Sequence, residues 1–578
     1  MAAFTWRGTA VAQDVVNVGP LALIQPLLDK LDIEAIIDRH VPPDPQLEYS
    51  HGQVLGMLLM ARLCQPTALV NVAAWAEKSG ADILCNLPAD KLNDDRLGRA
   101  LDAFFDQRHS ILASVTAQAL QVTDLALKDL HFDTTDLVLC GAYAASQPRP
   151  DWPAETPFRG NAALQPAHIC HGYTADTKMI QAGQLAVVDE CGALPVLGHC
   201  LDGNRNGHTA IRETFLLAQQ HLPLPDDTLL FSDRGTCSVE HIARLQRAGY
   251  AAVCAAPWQD YRAIYDANAE RLAWHQASFL SVEQQRRRSC DSALPRDHYQ
   301  LAVLRHTLRD PTTQQQIPAR LIFIYSTAAQ RDSRKRRQQN TAKIQAGLEA
   351  LQAKWQRGHP QCTPDSITRQ VIKLLGNRQA GHYFTWRLRP LTAEEQAALP
   401  TPGPGHRRAS VRLEFSYDAA AAQADERYDG LSVLLTTAAP HRHSADDLFT
   451  KYKQQNYVET LHHQWKTPLA VSPVFLKSPR RVEALVCLLQ LAVQAYQVLE
   501  RLYRQSVPAE QTQAEKRLTT ERMLRIFQVY GLLVSHTPIG RVVHATRLNN
   551  RQKQILNRLA FPTPAQILSR ILEPEPTS

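Results

Sequence analysis

The sequence has no Cys-x-x-Cys pair, although eleven cysteines are scattered along its 578 residues. An odd, dispersed set in a large chain argues for reduced thiols and against a disulfide framework. The cluster His168, Cys170, His171, Cys191, His199 and Cys200 invites a zinc reading. Its spacings match no common zinc pattern, and several members fall in strand-like segments, so small buried cysteines beside surface histidines are expected instead. A long apolar run is also lacking. The longest, around Ala484–Tyr496, contains Gln490 and Gln494 and is too short to span a bilayer. The opening residues Met1–Arg7 show no charged segment followed by an apolar one, the pattern of a secretory signal. A soluble, intracellular protein is therefore expected. Nor does one sign of charge dominate: 63 Lys and Arg against 56 Asp and Glu leave a net charge of +7. That permits a polyanionic partner without requiring one.

What is present is a sequence long enough for several domains. Residues 1–122 read as helices. Ser50 and Gln53 form a capping-box pattern before Val54–Cys64, and Asn93-Asp94-Asp95 opens another helix. The pattern changes to strands and helices over 123–256, which indicates an α/β unit. Strands are expected around Leu130–Leu139, Gln184–Asp189, Leu194–Leu201, Thr228–Ser232 and Tyr250–Ala256, with helices at Ile211–His221 and Val239–Ala248. Residues 257–440 interrupt this pattern and read as an insertion. It includes strand-like pieces and a basic run, Arg331–Arg337, which is either a phosphate grip or a solvated helix face. Helix returns over 441–508, first from Ala445 to Trp465 and then from Pro479 to Gln505. The tail, 509–578, is expected to be helical.

Three carboxylates stand out by position. Asp133 lies in a strand-like segment, where alternation puts it on one face with Thr135. Asp233 ends the run Leu229–Asp233 before a turn, the place where a carboxylate can face a site. Glu459 lies in the helix expected after the insertion. At about 100° per residue, Tyr452, Gln455, Glu459 and Lys466 fall within roughly 60° of arc on that helix. One face would offer a phenol, an amide, a carboxylate and an ammonium. By spacing alone, an exposed polar face is the preferred explanation of these four.

These segments resemble those of DDE transposases of bacterial insertion sequences, in the group with a Tyr-x2-Arg-x3-Glu-x6-Lys signature. Tyr452, Glu459 and Lys466 occupy the matching places, with Gln455 where Arg is usual. His131–Thr135 resembles the strand of the first Asp, and Phe231–Gly235 that of the second. His171–Asp176 and Leu201–Asn204 resemble the connecting segments. Val474–Ala484 resembles the stretch after the Glu helix, and Asn93–Arg99 the helical N-terminal block.

The resemblance implies an α/β RNase H-like catalytic core in two parts, 123–256 and 441–508. A largely β insertion domain would separate them, with helical regions at both ends and possible DNA-end binding by residues 1–122. It implies a catalytic and metal-binding set of Asp133, Asp233 and Glu459 holding Mg²⁺ or Mn²⁺. Tyr452, Gln455 and Lys466 would contact DNA. The implied partners are terminal inverted repeats and target DNA, engaged by a homodimer, in the bacterial cytoplasm and at the nucleoid when DNA is bound. A metal nuclease of the same fold without strand transfer, or an inactive DNA-binding relative, are the alternatives. An aromatic of the insertion (Trp258, Trp274, Trp355 or Trp386) could stack on a flipped base, although core packing is the preferred explanation for each.

Overall fold

The computed structural model describes residues 12–42, 44–150, 165–172, 177–280, 297–376, 379–466, 476–537 and 540–572. Met1–Arg7, Tyr173–Asp176 and Val474-Phe475 of the segments singled out above lie outside the described residues.

The chain enters on a short strand, β1 (Ala12–Val16), then packs helices α1 (Leu21–Lys30), α2 (Ile33–His40) and α3 (His51–Cys64). The Ser50 hydroxyl accepts from the Gln53 amide while Gln53 reaches back, completing the expected capping box. Gly52 and Gly56 let α3 approach α2 closely. A Cβ at Gly52 would stand 2.3 Å from the Glu34 carbonyl oxygen, and one at Gly56 would stand 2.6 Å from Glu34 Oε1. The long helix α4 (Asp94–Thr123) is capped by Asn93 and opens with Asp94 and Asp95, which suit the positive end of the helix dipole.

A ten-stranded mixed sheet follows. Its first part comprises β2 (Leu130–Leu139), β3 (Lys178–Asp189) and β4 (Gly192–Asp202), antiparallel in the order β4–β3–β2. Helix α5 (Gly207–His221) leads to β5 (Leu229–Ser232), and α6 (Val239–Arg247) leads to β6 (Ala251–Ala256). β5 runs parallel to β2, and β6 parallel to β5. All these elements match the sequence expectations to within a few residues, except that β3 and α5 begin earlier. β3 and β4 are enclosed on both faces, which explains their near-continuous apolar composition.

The insertion is not the largely β domain expected. Three of its strands, β7 (Tyr299–Arg309), β8 (Gln316–Ser326) and β9 (Leu431–Thr436), extend the central sheet itself, β9 pairing with β6. The rest is a mixed lobe. It contains the 30-residue helix α7 (Thr327–Gln356), a helix at Pro364–Gly376 and the hairpin Phe384–Pro390 with Val411–Tyr417. Its own core is built on Ile344, Leu348, Trp355, Val371, Phe384 and Leu413.

After the insertion come α8 (Ala445–Lys453), α9 (Asn456–Lys466) and α10 (Pro479–Ser506). The single helix expected over Ala445–Trp465 is thus broken at Gln454-Gln455. There the backbone switches to tighter bonds, Gln455 N to Tyr452 O and Val458 N to Gln455 O. α10 is long and apolar enough to cross a membrane by composition, yet its apolar window is wholly buried among the other elements. It forms a single core with the N-terminal helices, one face of β2–β4 and the C-terminal residues, so 1–122 does not stand apart as a separate core. The tail is also not wholly helical: β10 (Leu532–Thr537) and β11 (Gly540–Ala545) join β1 in a three-stranded sheet. The opposite face of the central sheet is covered by α5 and α6 through Phe132, Leu185, Ile211, Phe215 and Ile242.

Candidate active site

Along β2, alternation sends Phe132 into the core beneath α5 and α6 and leaves His131, Asp133 and Thr135 on the other face. The Asp133 side chain keeps 25% of its surface exposed. The Thr134 amide donates to its Oδ1 at 2.8 Å. Burial raises the Asp133 pKa to about 6, and the neighbouring Asp233 and Glu459 carboxylates push the same way against the Thr134 bond and Lys466. Asp233 follows β5 directly. His131 and Phe231 are register partners across the parallel β2–β5 pair, so the two aspartates lie equally far along neighbouring strands. The Asp233 carboxylate is exposed and accepts from Thr236 Oγ1 at 3.2 Å.

Glu459 sits in the first turn of α9 and is exposed, while Val458, Leu461, His462 and Trp465 form the buried side of that helix. Lys466, seven residues on, shares the exposed side. Tyr452 belongs to α8, not to the Glu459 helix. It packs against the core under β5 and β6, and its phenol is pushed up by burial and by Asp233. Lys451 on the same helix is tied at 2.9 Å to Asp129, which precedes β2.

Gln455 departs from expectation. Its amide is committed to β2: Nε2 donates to the Phe132 carbonyl at 3.0 Å, and Oε1 meets His131 Nδ1 at 2.7 Å. The amide that the resemblance assigns to DNA thus faces β2 in this structure. Burial pushes the His131 pKa down to about 4.

Two residues near the carboxylates escaped the sequence reading. His462 Nδ1 lies 3.5 Å from Asp133 Oδ2, and burial pushes its pKa down to about 4. Its position three residues after Glu459, on the buried side of the same helix, was the available signal. Arg205, just before α5, is fixed by Glu213 at 3.0 Å. With Lys466, Gln181, Thr134, Thr135 and Gly207 it lines a cleft of about 280 Å³ beside Asp133. No local pattern marked Arg205, because Gln181 and Lys466 reach it only through the fold.

The donor set suits a hard cation. Three carboxylates come from three separate elements, and their mutual repulsion is what a divalent ion would relieve. Oxygens of all three do not approach within 4.8 Å of one another. Among the described residues the one such trio of potential ligand atoms is Cys200, Glu483 and Cys487. That trio is ill suited to a metal. Glu483 is already bound by Arg108 at 2.8 Å, Arg149 at 2.6 Å and the Ala167 amide at 2.6 Å. The contact with Cys487 and burial keep the Cys200 thiol protonated. The His168–Cys200 set does not assemble either: His199 instead packs near His109, with ring centroids 5.6 Å apart. The four tryptophans of the insertion pack in cores, Trp258 and Trp274 against the central sheet and Trp355 and Trp386 in the distal lobe.

Residues 13–117 match a family model described as a domain of unknown function, DUF4277. No curated protein matches the chain. Among solved structures, the chain is similar to the piggyBac transposase in its synaptic complex with hairpin DNA. The match is at 10% identity and a TM-score of 0.34, covering 98% of this chain and 89% of that one. So distant a likeness carries no weight for fold or activity.

Proposed function

We propose that this protein is a DNA transposase that cuts at the ends of an insertion sequence and joins them to target DNA. The observation that supports this reading is that the Asp233 and Glu459 carboxylates both act electrostatically on Asp133. Asp133 lies within β2 and Asp233 directly follows β5, which pairs with β2 in parallel, and the glutamate comes from a helix packed against β2. The sheet order β4–β3–β2–β5–β6, three antiparallel strands and then two parallel ones, supports an RNase H-like core. The insertion between β6 and α8 suits that layout.

Asp133, Asp233 and Glu459 would hold Mg²⁺ or Mn²⁺. Such ions would supply the Lewis acidity that activates an attacking oxygen and stabilises a leaving one. A two-ion site does not need all three carboxylates on one ion, which fits their spread here. The chain's own groups do the positioning. Lys466 and Arg205 line the cleft beside Asp133, where strand phosphates would lie. Burial raises the Asp133 pKa to about 6, and a bound cation would favour its ionised form. Hydrolysis at the element's end frees a 3′-hydroxyl, which attacks a target phosphodiester in the same site. Two protomers on paired ends, in the cytoplasm, complete the reading.

The test uses DNA bearing the inverted repeats that flank the reading frame. Wild type should nick these ends with Mg²⁺ and join pre-cleaved ends to a plasmid. Asp133→Ala and Glu459→Gln should abolish both while end binding persists, since affinity comes mainly from Lys and Arg contacts to phosphates. Cleavage without joining would reduce the protein to a nuclease; undiminished cleavage by Glu459→Gln would remove Glu459 from the site.

A further inference from the structure

Each of the three carboxylate-bearing segments contributes one residue to a single buried joint. His131 lies two positions before Asp133 on β2, Phe231 two before Asp233 on β5, and Gln455 four before Glu459, in the break between α8 and α9. The His131 ring stacks on Phe231 at 4.5 Å between centroids and 8° between planes. On its edge it meets Gln455 Oε1 at 2.7 Å. We infer that the His131–Gln455 pair is a positioning device that sets the Glu459 helix against the two aspartate strands.

The hydrogen-bond logic fixes every proton in the joint. The Phe132 carbonyl can only accept, so the Gln455 NH₂ must face it. That turns Oε1, an acceptor only, toward His131, which must then carry its proton on Nδ1. The other nitrogen, Nε2, is buried and has no hydrogen-bond partner among the described residues. Such an orphan is costly, and a phenylalanine would stack on Phe231 without incurring it. What imidazole adds is the Nδ1–H that locks Gln455. Gln455 in turn closes the tight turn that begins α9, so the bond controls where Glu459 stands. Residues that orient metal-binding groups from behind affect ion affinity by about 10–100-fold when removed.

This inference rests on the acidic trio being a cation site, as proposed above, but its test does not require DNA. Mn²⁺ binding to the DNA-free full-length protein is followed by calorimetry, alongside thermal stability and Mg²⁺-dependent end cleavage. His131→Phe keeps the stack and loses the Nδ1–H; Gln455→Leu removes the other partner. Each should weaken Mn²⁺ binding about tenfold or more, and the double variant should be no worse than Gln455→Leu alone, because that change already removes the bond that His131→Phe breaks, together with the Gln455–Phe132 bond. His131→Asn, whose amide can donate from nearly the same place, should recover much of the binding although it loses the stack. Rescue separates positioning from simple packing: a packing role predicts that His131→Phe is the milder change. Unchanged Mn²⁺ affinity in both singles, additive losses, or no Mn²⁺ binding by wild type would each overturn the inference. Wild type that binds Mn²⁺, weakens as expected in the variants and yet cuts no DNA would sink the transposase reading while leaving the joint standing.

Discussion

Arg108 donates through Nε to Glu483 Oε1 at 2.8 Å, with only 2% and 1% of the two side chains exposed. The pair joins α4 to α10, and Arg149 adds a second guanidinium on Oε2. Burial alone would raise the Glu483 pKa; Arg149 and Arg108 outweigh it and hold the carboxyl below its ordinary value of 4.5. Glu483→Ala would remove the carboxylate that both buried guanidiniums share and should cost about 3–5 kcal/mol in denaturant unfolding. The sign with pH follows from the depressed pKa. The contribution is complete above the ordinary carboxylate range and is lost as pH falls below it toward the folded value. The gap between wild type and Glu483→Ala should therefore narrow on acidification; a gap constant down to strongly acid pH would show that the carboxylate is not the stabilising group.

Glu34 behaves oppositely. Burial, with Asp29 and Asp38 nearby, raises its pKa from 4.5 to about 7. The folded state then binds more protons than the unfolded state between those values, so stability falls as pH rises from about 4.5 to 7 and levels off above. Glu34→Gln should raise the melting temperature at pH 8 and leave it almost unchanged at pH 4. Equal effects at both pH values would mean that the carboxyl is not perturbed.

The basic run of α7 divides into two sets. Arg331, Arg334 and Arg337 are ion-paired with Asp297, Glu426 and Asp429, which fastens the helix to its surroundings. Lys335 and Arg336 are exposed, and neither forms an ion pair among the described residues. Arg337→Ala should therefore lower stability. The double change Lys335→Glu, Arg336→Glu should leave stability within about 0.5 kcal/mol but weaken DNA binding and flatten its salt dependence. If DNA affinity does not move, this face of the lobe lies away from the DNA.

The sequence by itself determined the local features of this protein. Ser50 and Gln53 cap a helix because their partners are three residues away. Leu130–Leu139 and Leu229–Ser232 are strands because their composition and alternation suit one, and so Asp133 and Asp233 could be placed at strand positions without coordinates. Three features belonged to the tertiary structure alone. Helical spacing runs unbroken through Tyr452, Gln455 and Glu459, yet the chain breaks there, and Gln455 spends its amide on β2, more than three hundred residues earlier. The strands of the insertion had no visible reason to join the central sheet, since their partner β6 lies across a long stretch of chain. Likewise β10 finds β1 only once the two ends of the chain share a core. Periodicity reports which residues one element turns inward. It carries no information about which distant element supplies the matching hydrogen bonds, and those pairings set the register of the sheet and the position of Glu459.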